Sequence, residues 1–308
     1  MPSWERILKE TMPHTDAQGN PVAPLSVDAL RQKYVAKLAA QTGRNVVVYY
    51  SGYLSGLSDN VSINDTDMNG FINAVIGLDR SKGLDLVLHT PGGDPNAAEA
   101  IVSYLHSMFG NDLRVIVPQI AMSAGTMISC AARTVLMAKH SSLGPVDPQF
   151  SYYGLPAFNV VQMYAEAKED LENNPNSIHY WSLIFSQLPP GFLYNAFDAI
   201  ERSNILVGQW LRQYMFAGES GRELDNRIRR IRSKLNSNNM SHGCHFSFDF
   251  CKNLGLKVEE LEADPEVYDL VMGVHNAFLI SIEVGSISKI IQNHHGACYI
   301  TLQEAQEE

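Results

Sequence analysis

The sequence predicts an α/β fold built around a parallel sheet, and two observations support this. Its apolar runs are continuous rather than alternating, as in strands that are covered on both faces. Segments with helical spacing of apolar residues lie between them, so strands and helices alternate at roughly thirty-residue intervals, which indicates βαβ units. The expected strands are 45–50, 84–89, 113–118 and 134–138.

The first 24 residues are expected to form an extended arm. Residues that interrupt helices recur along it, namely Pro13, Gly19, Pro21 and Pro24. Ser26 then fits the N-cap of a helix that ends near Gly43. The arm is therefore assigned to residues 1–24.

Capping signals mark the helices that follow the next strands. Asn64 with Asp67 resembles a cap, and Asp94 followed by Pro95 fits the N-cap and first turn of another helix. A helix of small residues is expected to begin near Ser123. Each of these helices begins shortly after a strand or turn, which supports the alternating pattern.

The pattern changes to helices beyond residue 155. Helices are expected over about 157–172, 192–217, 221–234 and 265–281. A glycine-containing stretch at 218–221 suggests a soft boundary. This divides the chain into an α/β catalytic domain at 25–217 and a helical C-terminal extension at 218–308.

Composition excludes several classes of protein. The formal net charge of −10 opposes a role in nucleic-acid binding. No continuous apolar stretch reaches the length of about 18 residues that spans a bilayer, and the charged start lacks the apolar part of a signal peptide. We therefore expect a cytoplasmic protein with no membrane span.

The cysteines and the basic residues have ordinary interpretations. Cys244 and Cys251, with His242 and His245 beside them, could suggest a metal site, but the spacing is not that of the tight ligand pairs of structural zinc. We expect reduced thiols and no metal or cofactor. The basic run Arg222–Lys234 is interpreted as a solvated helix face, with a subunit contact or an acidic partner as alternatives.

Two loops carry the residues that could perform chemistry. The loop His89-Thr-Pro-Gly-Gly-Asp94 follows a strand, and its paired glycines leave backbone N–H groups uncovered, as an oxyanion site requires. The loop Ala121-Met-Ser-Ala-Gly-Thr126 places Ser123 at a helix N-terminus, which favours developing negative charge. Each loop alone could be a simple turn or an N-cap.

Together these loops resemble a known family. Pro91-Gly-Gly93, Ala121-Met-Ser-Ala-Gly125 and Ser142-Leu-Gly-Pro-Val-Asp-Pro-Gln149 are similar to the Clp-protease-like serine dehydrogenase proteinase family. The resemblance extends to the signal peptide peptidase A family, which shares the Clp protease/crotonase superfold. It implies a spiral of ββα units, a homo-oligomer, and hydrolysis of peptides or unfolded proteins.

The resemblance also implies roles for individual residues. Ser123 corresponds to the nucleophile, and Gly92 or Gly93 together with Ala124 would supply the oxyanion-binding N–H groups. The histidine that follows the serine in Clp subunits is missing, since the corresponding region reads Leu143-Gly-Pro-Val-Asp147. A Ser-His-Asp triad is therefore in doubt.

Lys168 is the leading candidate for the base, because signal peptide peptidases use a lysine from a later segment. It lies seven residues after Val161, four after Tyr164 and three before Leu171, so it is expected on the apolar face of its helix. Desolvation on that face would favour the neutral amine that a general base requires. Lys139, His242 and His245 remain alternatives.

The resulting hypothesis is a serine peptidase with a Ser123–Lys168 dyad. A crotonase-type enzyme that acts on an acyl-CoA, and a ring-forming scaffold that has lost its base, are the rival interpretations. The sequence contains no Walker-type motif, so any ATPase that delivers substrates would be a separate chain.

Overall fold

The computed structural model describes residues 3–15, 18, 20–56, 60–150, 155–236 and 242–303. Its helices are α1 (Trp4–Lys9), α2 (Val27–Thr42), α3 (Asp67–Val75), α4 (Pro95–Phe109), α5 (Ala124–Cys130), α6 (Ala157–Asn173), α7 (Ile178–Phe185), α8 (Phe192–Trp210), α9 (Arg222–Leu235), α10 (Phe248–Leu254) and α11 (Pro265–Gly285). A π-helical turn, Leu211–Met215, extends α8.

Short strands flank the longer strands of the central sheet. The strands are β1 (His14–Thr15), β2 (Pro21–Val22), β3 (Asn45–Ser51), β4 (Leu84–His89), β5 (Leu113–Val117), β6 (Ile120–Ala121), β7 (Thr134–Met137), β8 (Ser142–Leu143), β9 (Gln149–Phe150), β10 (Leu155–Pro156), β11 (Phe246–Ser247), β12 (Val258–Glu260), β13 (Ile287–Asn293) and β14 (Cys298–Leu302).

The central sheet has the strand order β12-β7-β5-β4-β3-β13-β14. The four strands expected from the sequence lie next to one another in it and are mutually parallel, which confirms the α/β class. The sheet as a whole is mixed, because β13 runs antiparallel to β3 and pairs with β14 as a hairpin. Buried apolar side chains cover both faces of the sheet.

The C-terminal region belongs to the core and is not a helical extension. It contributes β12, β13 and β14 to the central sheet, and α11 packs against α2. Strand β13 was not predicted from the sequence, because its buried positions include the polar residues Lys289 and Gln292. Both polar side chains are hydrogen-bonded, which makes their burial tolerable.

The N-terminal segment differs from the extended arm that the sequence suggested. Ser3 caps α1, and Ile7 of that helix is fully buried. Glu10 accepts hydrogen bonds from Lys33 Nζ at 2.5 Å and from the Tyr34 hydroxyl at 2.8 Å, which attaches the segment to α2. The helix-breaking prolines all follow α1, so they end it without preventing it.

Helix α11 corrects the expectation that no segment is long enough to span a membrane. With 21 residues, it is long and apolar enough by length and composition, and it is the one helix of the described residues that meets this test. In this structure it is a core helix, since Val271, Val274 and Phe278 are fully buried and the helix packs on α2. Its apolar character is accounted for by that packing.

Candidate active site

A cavity of about 400 Å³ lies beside the loops that follow β4 and β6. Strand β4 belongs to the central sheet and β6 to a three-stranded sheet with β8 and β11, and a parallel bridge between Thr90 and Ala121 brings the ends of the two strands together. The loop Pro91–Gly93 forms one side, and Ser123 with Ala124 forms another. The two loops singled out in the sequence therefore meet at one cavity.

Ser123 has a backbone conformation that is rare for a residue with a side chain. It immediately precedes α5, with φ 50° and ψ −114°. The turn is held by a hydrogen bond from Gly125 N to Met122 O at 2.7 Å and by one from Met122 N to Thr90 O at 3.0 Å. Such strained positions concentrate at functional sites, and this turn places the serine on the cavity wall.

Gly92 allows the two loops to approach closely. A Cβ atom at this position would lie 2.6 Å from Ser123 Cβ and 2.7 Å from the carbonyl oxygen of Met122. The φ of Gly92 is +102°, a value that residues with a side chain rarely adopt. Glycine is therefore required here on grounds of both space and conformation.

The backbone N–H groups of the two loops differ in availability. Gly92 N–H donates to Thr90 Oγ1 at 3.1 Å, so it is already engaged. Gly93 N–H and Ala124 N–H donate to no group within the described parts of the chain. Both residues line the cavity, so these two N–H groups are the ones available to an incoming acceptor.

A histidine and a carboxylate form the second polar element of the cavity. His242 Nδ1 lies 2.8 Å from Asp147 Oδ1. The Asp147 side chain is only 6% exposed, and its other oxygen accepts a hydrogen bond from Gln149 Nε2 at 2.5 Å. An ionised carboxylate only accepts hydrogen bonds, so it favours the imidazole tautomer with the proton on Nδ1 and leaves Nε2 as an acceptor.

Ser123 and His242 line the same cavity but form no hydrogen bond with each other in this structure. Hydrogen bonds of catalytic groups are often long in the absence of substrate and shorten when it binds. Three polar side chains, Ser123, His242 and Asp147, thus line one cavity, and they are the residue types that nucleophilic catalysis uses.

Lys168 is not part of this arrangement. Its side chain is exposed on α6, and it does not line the cavity. The expectation that it points with the apolar face is wrong, because the buried positions of α6 are Ala157, Val160 and Ala167. Lys168 follows Ala167 by one residue, which rotates it by roughly 100° away from that face.

Two of the other candidate bases, Lys139 and His245, also lie outside the cavity lining. Lys139 is exposed and forms an ion pair with Glu260 at 3.1 Å. His245 is exposed and absent from the cavity lining. His242 is therefore the one member of the candidate set that lines the same cavity as Ser123.

Asp147 was the residue that sequence reasoning missed. It lies in Leu143-Gly-Pro-Val-Asp147, the region that corresponds to the histidine of Clp subunits, and it contributes a carboxylate there instead of an imidazole. The partner histidine is 95 residues further along the chain, in a turn just before β11. No local spacing signals a pair so far apart, although pairing of β11 with β8 brings the two segments together.

The cysteine and histidine cluster does not form a metal site. No group of three or more histidine, cysteine or acidic side chains within the described ranges could hold a metal ion. Cys251 is buried, its thiol faces the carbonyl oxygen of Phe246 at 3.6 Å, and burial raises its pKa to about 12. A thiol held in its neutral form is a poor metal ligand.

Comparisons with known proteins show what this chain is similar to. A family model described as ClpP-like SDH-type serine proteinase matches residues 56–282. An uncharacterized protein of Methanocaldococcus jannaschii is 33% identical over 168 residues, which cover 51% of this chain and 57% of that protein. A second uncharacterized protein of the same organism is 28% identical over 188 residues, 61% of this chain and 56% of that protein. The chain thus matches a little over half the length of these relatives.

Proposed function

This chain belongs to the family of ClpP-like SDH-type serine proteinases, and from that premise we propose that it is a serine peptidase with a Ser123–His242–Asp147 triad. The observation that carries the proposal is the hydrogen bond between His242 and the nearly buried Asp147 at the wall of the cavity that also holds Ser123. His242 replaces Lys168 as the proposed base.

The proposed roles follow from the chemistry of each group. Asp147 orients the imidazole and stabilises the positive charge that it acquires. His242 Nε2 accepts the proton of the Ser123 hydroxyl while Oγ attacks the carbonyl carbon of the scissile peptide bond. The proton then passes to the leaving amine, which departs and leaves an ester on Ser123. Water hydrolyses this ester by the same steps.

The oxyanion formed in each step would be stabilised by the N–H groups of Gly93 and Ala124. Neither group has another acceptor within the described ranges, so neither has to break a hydrogen bond to serve this role. Gly92 serves instead as the spacer between the loops, since its own N–H is held by Thr90 Oγ1. Preorganised donors of this kind are usually the largest single contribution to such reactions.

We also propose a substrate class, an arrangement of the fold and an assembly state for this chain. The substrates are peptides or unfolded proteins, the ββα units form a spiral, and the subunits assemble into a homo-oligomer in the cytoplasm. The reaction as proposed requires no cofactor, because the nucleophile, the base and the oxyanion donors are all supplied by the chain. Light scattering measures the assembly directly.

The function is tested by labelling with a fluorophosphonate probe, which reacts with an activated serine. Wild-type protein should be labelled and should cleave an unfolded model protein such as casein. Ser123→Ala should lose both properties, whereas the control Ser107→Ala, a change at an exposed serine outside the cavity lining, should keep them. Unlabelled wild-type protein would instead favour an acyl-CoA enzyme or a non-catalytic scaffold.

A further inference from the structure

A buried ion pair lies behind the proposed oxyanion loop. Lys289 of β13 and Asp67 at the start of α3 are 2.6 Å apart, and both side chains are 1% exposed. Buried ion pairs contribute little to stability on balance, because the cost of desolvating two charges offsets their attraction. The pair is therefore more important for the groups that it orients than for the stability of the fold.

Both members of the pair bind the backbone of one short segment, residues 62–64. Lys289 Nζ donates to the carbonyl oxygen of Ser62 at 2.9 Å. Asp67 Oδ2 accepts from Asn64 N–H at 3.0 Å, and the Tyr49 hydroxyl donates to the same oxygen at 2.9 Å. The segment is thus fixed at both ends, on either side of Ile63.

Ile63 in turn holds the oxyanion loop. Its N–H donates to Gly92 O at 2.8 Å, and its carbonyl oxygen accepts from Asp94 N–H at 2.9 Å. These two hydrogen bonds lie on either side of Gly93 and engage the Gly92 carbonyl oxygen and the Asp94 N–H. The Gly93 N–H is left without an acceptor in the described parts of the chain, at the cavity wall.

We propose that Lys289 is a positioning residue that, with Asp67, fixes residues 62–64 so that Ile63 holds the Gly93 N–H toward the cavity. The catalytic effect of this positioning rests on the proposed function. The position of the loop itself can be measured whether or not the chain is a peptidase. Lys289 lies outside residues 56–282, the part of the chain that matches the family model. It is thus a contribution of the C-terminal strand to the site.

The space around Gly93 explains why the position of Ile63 matters. A Cβ atom at Gly93 would lie 2.3 Å from Ile63 O and 2.4 Å from Ile63 N. The two backbones are therefore in direct contact, and displacement of Ile63 moves the loop. A misplacement of about 1 Å in a catalytic group can cost on the order of 10²-fold in rate.

The experiment uses the full chain and two variants. Lys289→Met removes the amine but leaves the buried Asp67 without its ion-pair partner, so a loss of stability is expected. Lys289→Met/Asp67→Asn removes both charges, and the new amide can still accept from Tyr49 and Asn64. This double variant should unfold at a temperature close to that of the wild type, yet it lacks the bond to Ser62.

The first measurement is hydrogen exchange of the Ile63 and Asp94 amides, which does not depend on activity. In the double variant both amides should exchange about tenfold faster than in the wild type, because the segment is released at one end. Unchanged exchange at these two amides overturns the proposal, whether or not the protein proves to be a peptidase.

The second measurement is the kinetics of peptide cleavage. Loss of oxyanion positioning should lower kcat by on the order of 10²-fold and leave KM nearly unchanged, since the oxyanion exists only in the transition state. Activity equal to that of the wild type in the stable double variant overturns the catalytic consequence. A wild-type protein that reacts with no fluorophosphonate contradicts the proposed function instead, and the exchange result still decides the positioning.

Asp85→Asn is the matched control. Asp85 is fully buried and bonded by Arg44 and Arg114, but it lies at the amino end of β4, far along the strand from the loop. Its loss should reduce the stability of the fold without changing kcat of the folded enzyme. An equal fall in kcat in this control would show that general loosening, and not positioning, explains the effect of Lys289.

Discussion

Two histidine sites in this molecule have opposite surroundings. His242 is 36% exposed at a cavity, and its partner is the carboxylate of Asp147. His89 and His275 are buried in the sheet core, and their partners are neutral: a carbonyl oxygen, an amide oxygen and the Tyr50 hydroxyl. The kind of partner and the access to solvent, rather than the residue type, distinguish the two sites.

Burial governs the protonation of the second site. Desolvation lowers the pKa of His89 to about 4, and desolvation together with the nearby His89 and His140 lowers the pKa of His275 to about 3. Both rings therefore remain neutral at physiological pH and stack or hydrogen-bond with Tyr50 as ordinary core groups. The comparison predicts that the first site controls activity and the second controls stability.

The largest expected effect is on activity at the first site. His242→Gln should reduce kcat by about 10²- to 10⁴-fold, because the general base is lost. Asp147→Asn should cause a loss of similar order, because the amide no longer selects the correct tautomer. The measurement is peptide cleavage at pH 7.5, with His245→Gln as the control, since His245 is exposed and outside the cavity. Full activity in His242→Gln would show that the first site does not control activity.

A smaller effect is expected on stability at the second site. The folded-state pKa values of His89 and His275 are depressed, so the unfolded chain binds more protons below about pH 6.5. The free energy of unfolding should therefore fall as the pH falls from 6.5 toward 5, by about 1.4 kcal/mol per pH unit for each histidine.

Urea denaturation at a series of pH values between 7.5 and 5 measures this slope. His275→Gln can still bond to the Tyr50 hydroxyl but does not titrate, so it should have a shallower slope than the wild type. Equal slopes in the two proteins would contradict the stability role of the buried pair.

The sequence was sufficient for the parts of the fold that local signals encode. Asp94 caps α4 through a hydrogen bond to Asn96 N–H, and Gly43 ends α2 in the left-handed conformation, both as expected. The apolar strands β3 and β4 were equally clear. These features depend on neighbouring residues, so a single sequence contains the information.

The features that were missed depend on contacts between distant residues. Lys289 makes β13 look polar, and only the buried partner Asp67 explains its presence in a core strand. The His242–Asp147 pair is 95 residues apart. Ser123 could be predicted as a candidate nucleophile because its strand-to-helix turn is local, whereas a candidate base could not be chosen without knowing which segments the fold brings together.

The smallest expected effect is at Lys168. Because its side chain is exposed on α6 and does not line the cavity, Lys168→Met should leave kcat within about twofold of the wild-type value. The pH dependence provides an independent check. With a histidine base, activity should rise to a plateau near neutral pH, whereas a lysine base would give a rise that continues into alkaline conditions. A large loss of activity in Lys168→Met, accompanied by such an alkaline rise and an unaffected His242→Gln variant, would restore the lysine dyad.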